Sequence, residues 1–193
     1  MYLCSEENKH MHTGIAEELT KLQTLSGSDF VVQLKKIAAR NEFYPYENGS
    51  KVFITGGEGR EDFPNLINAA QKAVKRGYTV YVLPNPSAVR TADFIFVRKG
   101  VYKLYDLKTI SGKTSAENRL IGSIGQTNRV LLNITSNYNP GSLARSIKRY
   151  FENSSTAMEV LVFKGKKTVS ITRDLTLSPN YYQLFMKKYL KGK

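Results

Sequence analysis

Cysteine is nearly absent from this sequence: Cys4 stands alone among 193 residues. A single thiol excludes an internal disulfide and any zinc site built on cysteines. Histidine is almost as scarce, and His10 and His12 both lie in the N-terminal stretch, far from the motifs that follow. That placement suits an exposed polar segment better than a His-x-His metal site. No apolar run approaches the roughly 20 residues that a membrane-spanning helix needs. The opening Met1-Tyr-Leu-Cys-Ser-Glu-Glu-Asn-Lys lacks the charged-then-apolar order of a signal peptide. No internal repeat is present. The expectation is a cytoplasmic protein with no membrane partner.

Acid is the other shortage. Against 29 Lys and Arg stand 16 Asp and Glu, for a net charge of +13 and a pI near 9.7. Solubility alone explains some of that excess. A polyanionic partner explains it better, because basic surface displaces counterions from a phosphate backbone and so supplies most non-specific affinity. The basic residues are spread along the chain rather than gathered on one amphipathic helix, which argues against a membrane surface. A hydrophobic content of 41%, with 9 Phe and 12 Tyr, is enough to bury a core and excludes global disorder.

Taken in order, residues 13–40 read as two helices. Ile15, Leu19 and Leu22 recur at helical spacing, with Thr13 as a cap. Ser26-Gly27-Ser28-Asp29 breaks the run, and Ser28 or Asp29 caps a second helix carrying Val31, Leu34, Ile37 and Ala38 on one face. Residues 1–50 form an N-terminal helical appendage, and residues 51–193 form an α/β domain. Gly56-Gly57-Glu58-Gly59 lacks the ending of a phosphate-binding loop and the spacing of a dinucleotide fingerprint, so it reads as a turn. A helix follows from Pro64 to Arg76, ended by Gly77, then a strand from Tyr78 to Leu83. After the next hairpin, Thr114 or Ser115 caps a helix, and Val130–Ile134 is a buried-looking strand. Pro140 opens another helix, and strands at 158–163 and 168–172 flank the turn Lys164-Gly-Lys-Lys167. The tail from Pro179 is a short basic helix or a frayed end.

The stretch from Thr91 to Thr109 carries the chemistry. It reads as strands near 93–98 and 101–109 around a turn at Arg98-Lys99-Gly100. Asp is depleted in strand interiors, yet Asp93 starts the first strand and Asp106 lies deep in the second. Asp106 and Lys108 are two apart and so share one face of a strand, with Leu107 on the other. Tyr102, Leu104 and Tyr105 leave neither face purely polar. Charges on so central a strand need a reason beyond solvation.

From Pro64 to Thr135 the expected order is helix, strand, strand, strand, helix, strand. With Asp entering the second strand and Asp-x-Lys on the third, it resembles the PD-(D/E)XK nuclease core. On that resemblance Asp93 is the first acid and Asp106-Leu107-Lys108 the (D/E)-x-K, with Ala92 where a proline usually stands. The implied fold is α+β with an α/β-type core: a central mixed sheet in a nuclease-like arrangement, plus the N-terminal helical appendage. The run Gly77–Leu83, Ala92-Asp93-Phe, Asp106-Leu-Lys108-Thr109, the capped helix and Gln126–Asn133 is also similar to the C-terminal tRNase domains of contact-dependent growth inhibition (CdiA-type) toxins. It is similar, too, to the related phage-borne barnase/EndoU/colicin/RelE-like nucleases. This second resemblance implies cleavage of RNA, tRNA above all, by a bacterial or phage-associated toxin held by an acidic immunity protein.

The residues themselves support a metal-assisted reading. Asp93 and Asp106, on paired strands, can converge on one Mg²⁺ or Mn²⁺, which needs only one or two carboxylates besides water and phosphate. The ion would activate water, and Lys108 would orient it or stabilise the transition state. The PD-(D/E)XK resemblance adds a third acid near the first core helix, either Glu58 or the nearer Glu61. Gln126 would orient water or the Asp–Lys pair. Thr109, Ser115, Arg119 and Arg129 are the candidates for substrate contact. The metal-independent relatives cut RNA through its own 2′-hydroxyl, which commonly uses histidine. With both histidines remote, that chemistry would fall to Lys108, Thr109, Ser115, Arg119 or Gln126. Two other functions stay open: a non-catalytic module that binds nucleic acid through basic surface and tyrosine stacking, and an interaction protein whose basic face meets an acidic partner. DNA remains an alternative to RNA.

Overall fold

A computed structural model describes residues 7–85, 91–112 and 115–191. Eight strands and seven α-helices alternate along them in an α+β fold. The chain divides into two compact units, Met1–Leu104 and Tyr105–Lys193. Among the described residues, no helix is long and apolar enough to cross a membrane. The side chains of His10 and His12, and all of Thr114, lie outside the described residues.

The first unit begins with α1 (Glu7–Lys21), a short 3-10 turn at Leu22–Thr24, and α2 (Gly27–Ala38). Thr13 therefore lies inside a helix and does not cap one. Ser26, extended at φ −141°, holds the capping position that Ser28 or Asp29 was expected to fill. Strand β1 (Tyr44–Pro45) pairs antiparallel with β2 (Val52–Ile54), and β2 runs parallel to β3 (Thr79–Val82). Between them α3 (Phe63–Val74) packs on both, with Pro64 in its first turn, where a missing N–H costs nothing. Gly77, at φ +83°, closes that helix in the left-handed conformation that glycine adopts freely. Strand β4 (Phe94–Arg98) pairs antiparallel with β3, Val82 opposite Phe94.

Residues 1–50 are not an appendage to a separate domain. Ile15, Leu19, Leu22, Leu34 and Ile37 share one core with Leu83, Ala92, Ile95 and Leu104. The helices supply apolar cover that the strands of this unit need, so the chain divides between Leu104 and Tyr105 rather than near residue 50. That boundary falls inside β5 (Val101–Ile110), which follows β4 through the two-residue turn Lys99-Gly100. Both turn residues have positive φ, 51° and 75°, the conformation that matches the twist of a tight hairpin.

The second unit is built on parallel strands. From Tyr105 onward β5 pairs with β6 (Arg129–Ile134), and β6 pairs with β7 (Glu159–Lys164), both parallel. Parallel neighbours require crossovers, supplied by α4 (Ala116–Ile121) and α5 (Pro140–Asn153). Strand β8 (Lys167–Thr172) returns antiparallel to β7, and α6 (Arg173–Leu177) and α7 (Tyr181–Lys191) finish the chain. One face of these strands carries Ile110, Val130, Leu132, Ile134, Val160 and Val162. It packs against Leu120 of α4, Leu143, Ile147 and Tyr150 of α5, and Tyr181, Phe185 and Tyr189 of α7. The C-terminal tail is therefore a docked helix.

Candidate active site

Alternation along β5 decides what the site can contain. Asp106, Lys108 and Ile110 fall on one face, the face that Ile110, Val130 and Leu132 share with α4 and α5; Tyr105, Leu107 and Thr109 fall on the other. The register sets Asp106 opposite Val130 and Lys108 opposite Leu132. Asp106 is thus 2% exposed at the margin of an apolar core. The Lys108 ammonium meets it, with Nζ 3.0 Å from Oδ1 and 2.8 Å from Oδ2. The Lys108 side chain retains 17% of its exposure, so the pair is closed on the carboxylate side and reachable from the lysine side.

Gln126 completes the group. Its Oε1 accepts from Lys108 Nζ at 3.4 Å, while its Nε2 donates to the carbonyl of Gly122 at 3.3 Å. The second bond fixes which end of the amide faces the lysine. The backbone brings Gln126 there by a short route: α4 ends at Gly122, Gly125 turns at φ +87°, and the Gln126 N–H donates to the Ser123 carbonyl at 3.1 Å. Ser115 starts the same helix as its cap, its Oγ accepting from the Asn118 N–H at 3.4 Å.

Tyr150 of α5 borders the group from the core. Burial pushes its phenol up to about 12, the neighbouring Ser123 side chain opposes that shift, and the Asp106 carboxylate adds to it. The second unit thus assembles a carboxylate, an ammonium, an amide and a phenol that stays neutral at ordinary pH.

The remaining sequence candidates of the second unit do not join this group. Thr109 alternates to the opposite face of β5. Arg129, one residue before Val130, also belongs to that opposite face, where its Nε lies 3.6 Å from Glu159 Oε2. Arg119 is exposed on α4, and Ser115 is engaged in capping it. The four were candidates for substrate contact, and strand alternation sets Thr109 and Arg129 on the face away from Lys108. In the first unit, half-buried Asp93 precedes β4 and its carbonyl accepts from the Leu83 N–H, while Glu61 is exposed ahead of α3. Glu58 accepts from the Tyr44 hydroxyl at 3.1 Å. Among the described residues, no three or more His, Cys, Asp or Glu side chains stand together as a metal-binding group.

A second polar cluster escaped the sequence. Glu159, 6% exposed, accepts from the Ser170 hydroxyl at 2.6 Å and the Tyr105 hydroxyl at 3.0 Å, with Arg129 beside it. The signal was an acid opening the otherwise apolar run Val160–Phe163. Buried charge of that kind requires partners, and they come from three other strands, which local pattern does not reveal. No protein-family model matches the chain, and a search of curated proteins finds no similar sequence.

Proposed function

We propose that the chain is a nuclease that hydrolyses phosphodiester bonds, of RNA in preference to DNA and of tRNA foremost, centred on Asp106, Lys108 and Gln126. The observation that carries this reading is the buried Asp106 paired with Lys108 on one strand face, with the Gln126 amide in reach of the same ammonium. Burying an ion pair is a poor source of stability, since desolvation offsets most of the attraction. Catalysis gives such a pair a purpose, and the net charge of +13 suits a polyanionic substrate.

Asp106 carries the oxygen donors that Mg²⁺ or Mn²⁺ prefers, and an ion would reach them only from the side where the Lys108 ammonium now stands, with water and substrate phosphate completing its shell. When bound, the ion supplies an activated water and offsets charge that accumulates on the phosphorus oxygens. Lys108 holds three N–H donors, and those not spent on Asp106 and Gln126 stabilise the phosphoryl oxygens as charge develops. Gln126, oriented by the Gly122 carbonyl, keeps the ammonium on that side of the strand. An acidic protein that covers the basic surface and blocks cleavage is the partner that a toxin of this class would carry.

The test is incubation of the full chain with total tRNA, rRNA and plasmid DNA, with Mg²⁺, Mn²⁺ or EDTA in parallel. Products should form with a divalent ion, and Asp106→Asn and Lys108→Met should abolish them while leaving nucleic-acid affinity and circular dichroism intact. Full-rate cleavage by both variants rejects the site, and full-rate cleavage in EDTA rejects the metal. Salt-sensitive binding without product under any condition rejects catalysis and leaves a binding module.

A further inference from the structure

The parallel strands of the second unit end together: Ile110 lies opposite Ile134, and Ile134 opposite Lys164. Just beyond these ends is a cavity of about 570 Å³, lined by Ile134, Ser136, Pro140, Lys164, Lys166 and Lys167, with Tyr189 and Leu190 of α7. Ligands of open α/β sheets commonly sit outside the carboxyl ends of the strands. Among the described residues, no acidic side chain lines this cavity, and three lysines do.

Two of the three lysines are held in place, each by different means. Lys167 Nζ donates to the Leu190 carbonyl at 2.9 Å, joining β8 to the end of α7. Lys164 Nζ lies 5.4 Å from the centre of the Tyr189 ring and 3.5 Å from Asn137 Oδ1. Lys166 is exposed and has no hydrogen bond or ion pair among the described residues. It occupies the β7–β8 turn, where Gly165 at φ +56° takes the conformation that a two-residue hairpin demands. Ser136 adds a neutral donor, since its Oγ is buried without a hydrogen-bond partner among the described residues. A buried hydroxyl without a partner carries a penalty that a ligand acceptor would remove.

We infer that this cavity binds a phosphate group. Lysine ammonium groups and a hydroxyl match its several acceptor oxygens, as charge-assisted hydrogen bonds to an anion do generally. The Pro140 ring and the Leu190 side chain give an attached organic body an apolar wall. The inference stands apart from the chemistry of Asp106 and Lys108 and holds for a chain that cuts nothing. The phosphate has two sources, a free small phosphate or a nucleic-acid strand.

The experiment is a ¹⁵N-resolved NMR titration of the full chain at matched ionic strength, with inorganic phosphate in one arm and a 5′-phosphorylated dinucleotide in the other. Saturable shifts should centre on Ser136, Gly165 and Lys166 in at least one arm, and the tighter arm names the source. Lys166→Glu should weaken binding about tenfold or more, and Ser136→Ala should weaken it less, each with the remaining amide spectrum unchanged. Lys166 has no hydrogen-bond or ion-pair partner among the described residues, so its substitution tests the site without endangering the fold. Shifts that never saturate and spread over all basic surfaces overturn the inference, as do affinities unchanged in both variants.

Discussion

Lys108 Nζ lies within 3.0 Å of both carboxylate oxygens of Asp106, a residue 2% exposed. Two charges so placed answer for each other. Lys108→Met should destabilise the protein by about 3–5 kcal/mol, because the buried carboxylate loses the ammonium that offsets its charge. The double variant with Asp106→Asn should recover part of that loss, with a coupling of about 0.5–3 kcal/mol. Urea unfolding of the four proteins measures it; strictly additive losses would show that the two side chains do not stabilise each other.

High pH should destabilise the second unit through its tyrosines. Burial pushes Tyr150 up to about 12, and burial raises Tyr181 still further, with its hydroxyl donating to the Ala144 carbonyl at 2.9 Å. A phenol whose folded pKa exceeds its unfolded value contributes stability in full below about pH 10, the unfolded value. That contribution is lost as pH rises toward the folded value, because the unfolded chain ionises first. Between about pH 10 and pH 12 the loss approaches about 1.4 kcal/mol per pH unit for each tyrosine. Tyr150→Phe should flatten that slope by about one proton in denaturation curves run from pH 8 to pH 11; an unchanged slope would rule out Tyr150 as a contributor.

The Glu159 cluster should behave as structure. Ser170→Ala removes the 2.6 Å bond to Glu159 and should cost about 1–3 kcal/mol, since the acceptor is charged and buried. Any nuclease activity should persist, because Glu159 and Asp106 belong to opposite faces of the strands. Thermal melting and a cleavage assay on the same preparation separate the two effects.

At the β4–β5 turn the sequence is not ideal for its conformation. Lys99 holds φ +51°, where asparagine before glycine is preferred. Lys99→Asn should stabilise the chain by several tenths of a kcal/mol. Gly100→Ala, at φ +75°, should destabilise it by about 1 kcal/mol. Urea midpoints for the pair check the sign of each.

Local rules made much of this legible. Pro64 and Gly77 marked the ends of α3 within a residue or two, and the Lys99-Gly100 turn divided β4 from β5 where residue type demanded it. Period-two reasoning placed Asp106 and Lys108 together, and Gln126 was named with them. What local pattern could not show is who covers whom. Leu34 and Ile37 read as one face of a helix, but nothing in their spacing says that Ile95 and Leu104 wait opposite. Thr109 and Arg129 were grouped with the site by type and proximity in sequence, and the pleat of the strands separates them from it. The Lys164-Gly-Lys-Lys167 turn read as a turn and nothing more, because a cavity wall is a property of several elements at once.

The Gly125 turn gives the site an adjustment screw with no chemistry of its own. A methyl at that position would meet no atom within 4 Å, so alanine there would be opposed by torsion alone, at φ +87°. The backbone would relax toward negative φ and swing Gln126 away from Lys108, loosening the ammonium without altering a single charged atom. A family of substitutions at one solvent-facing glycine would then grade the lysine's freedom from clamped to loose.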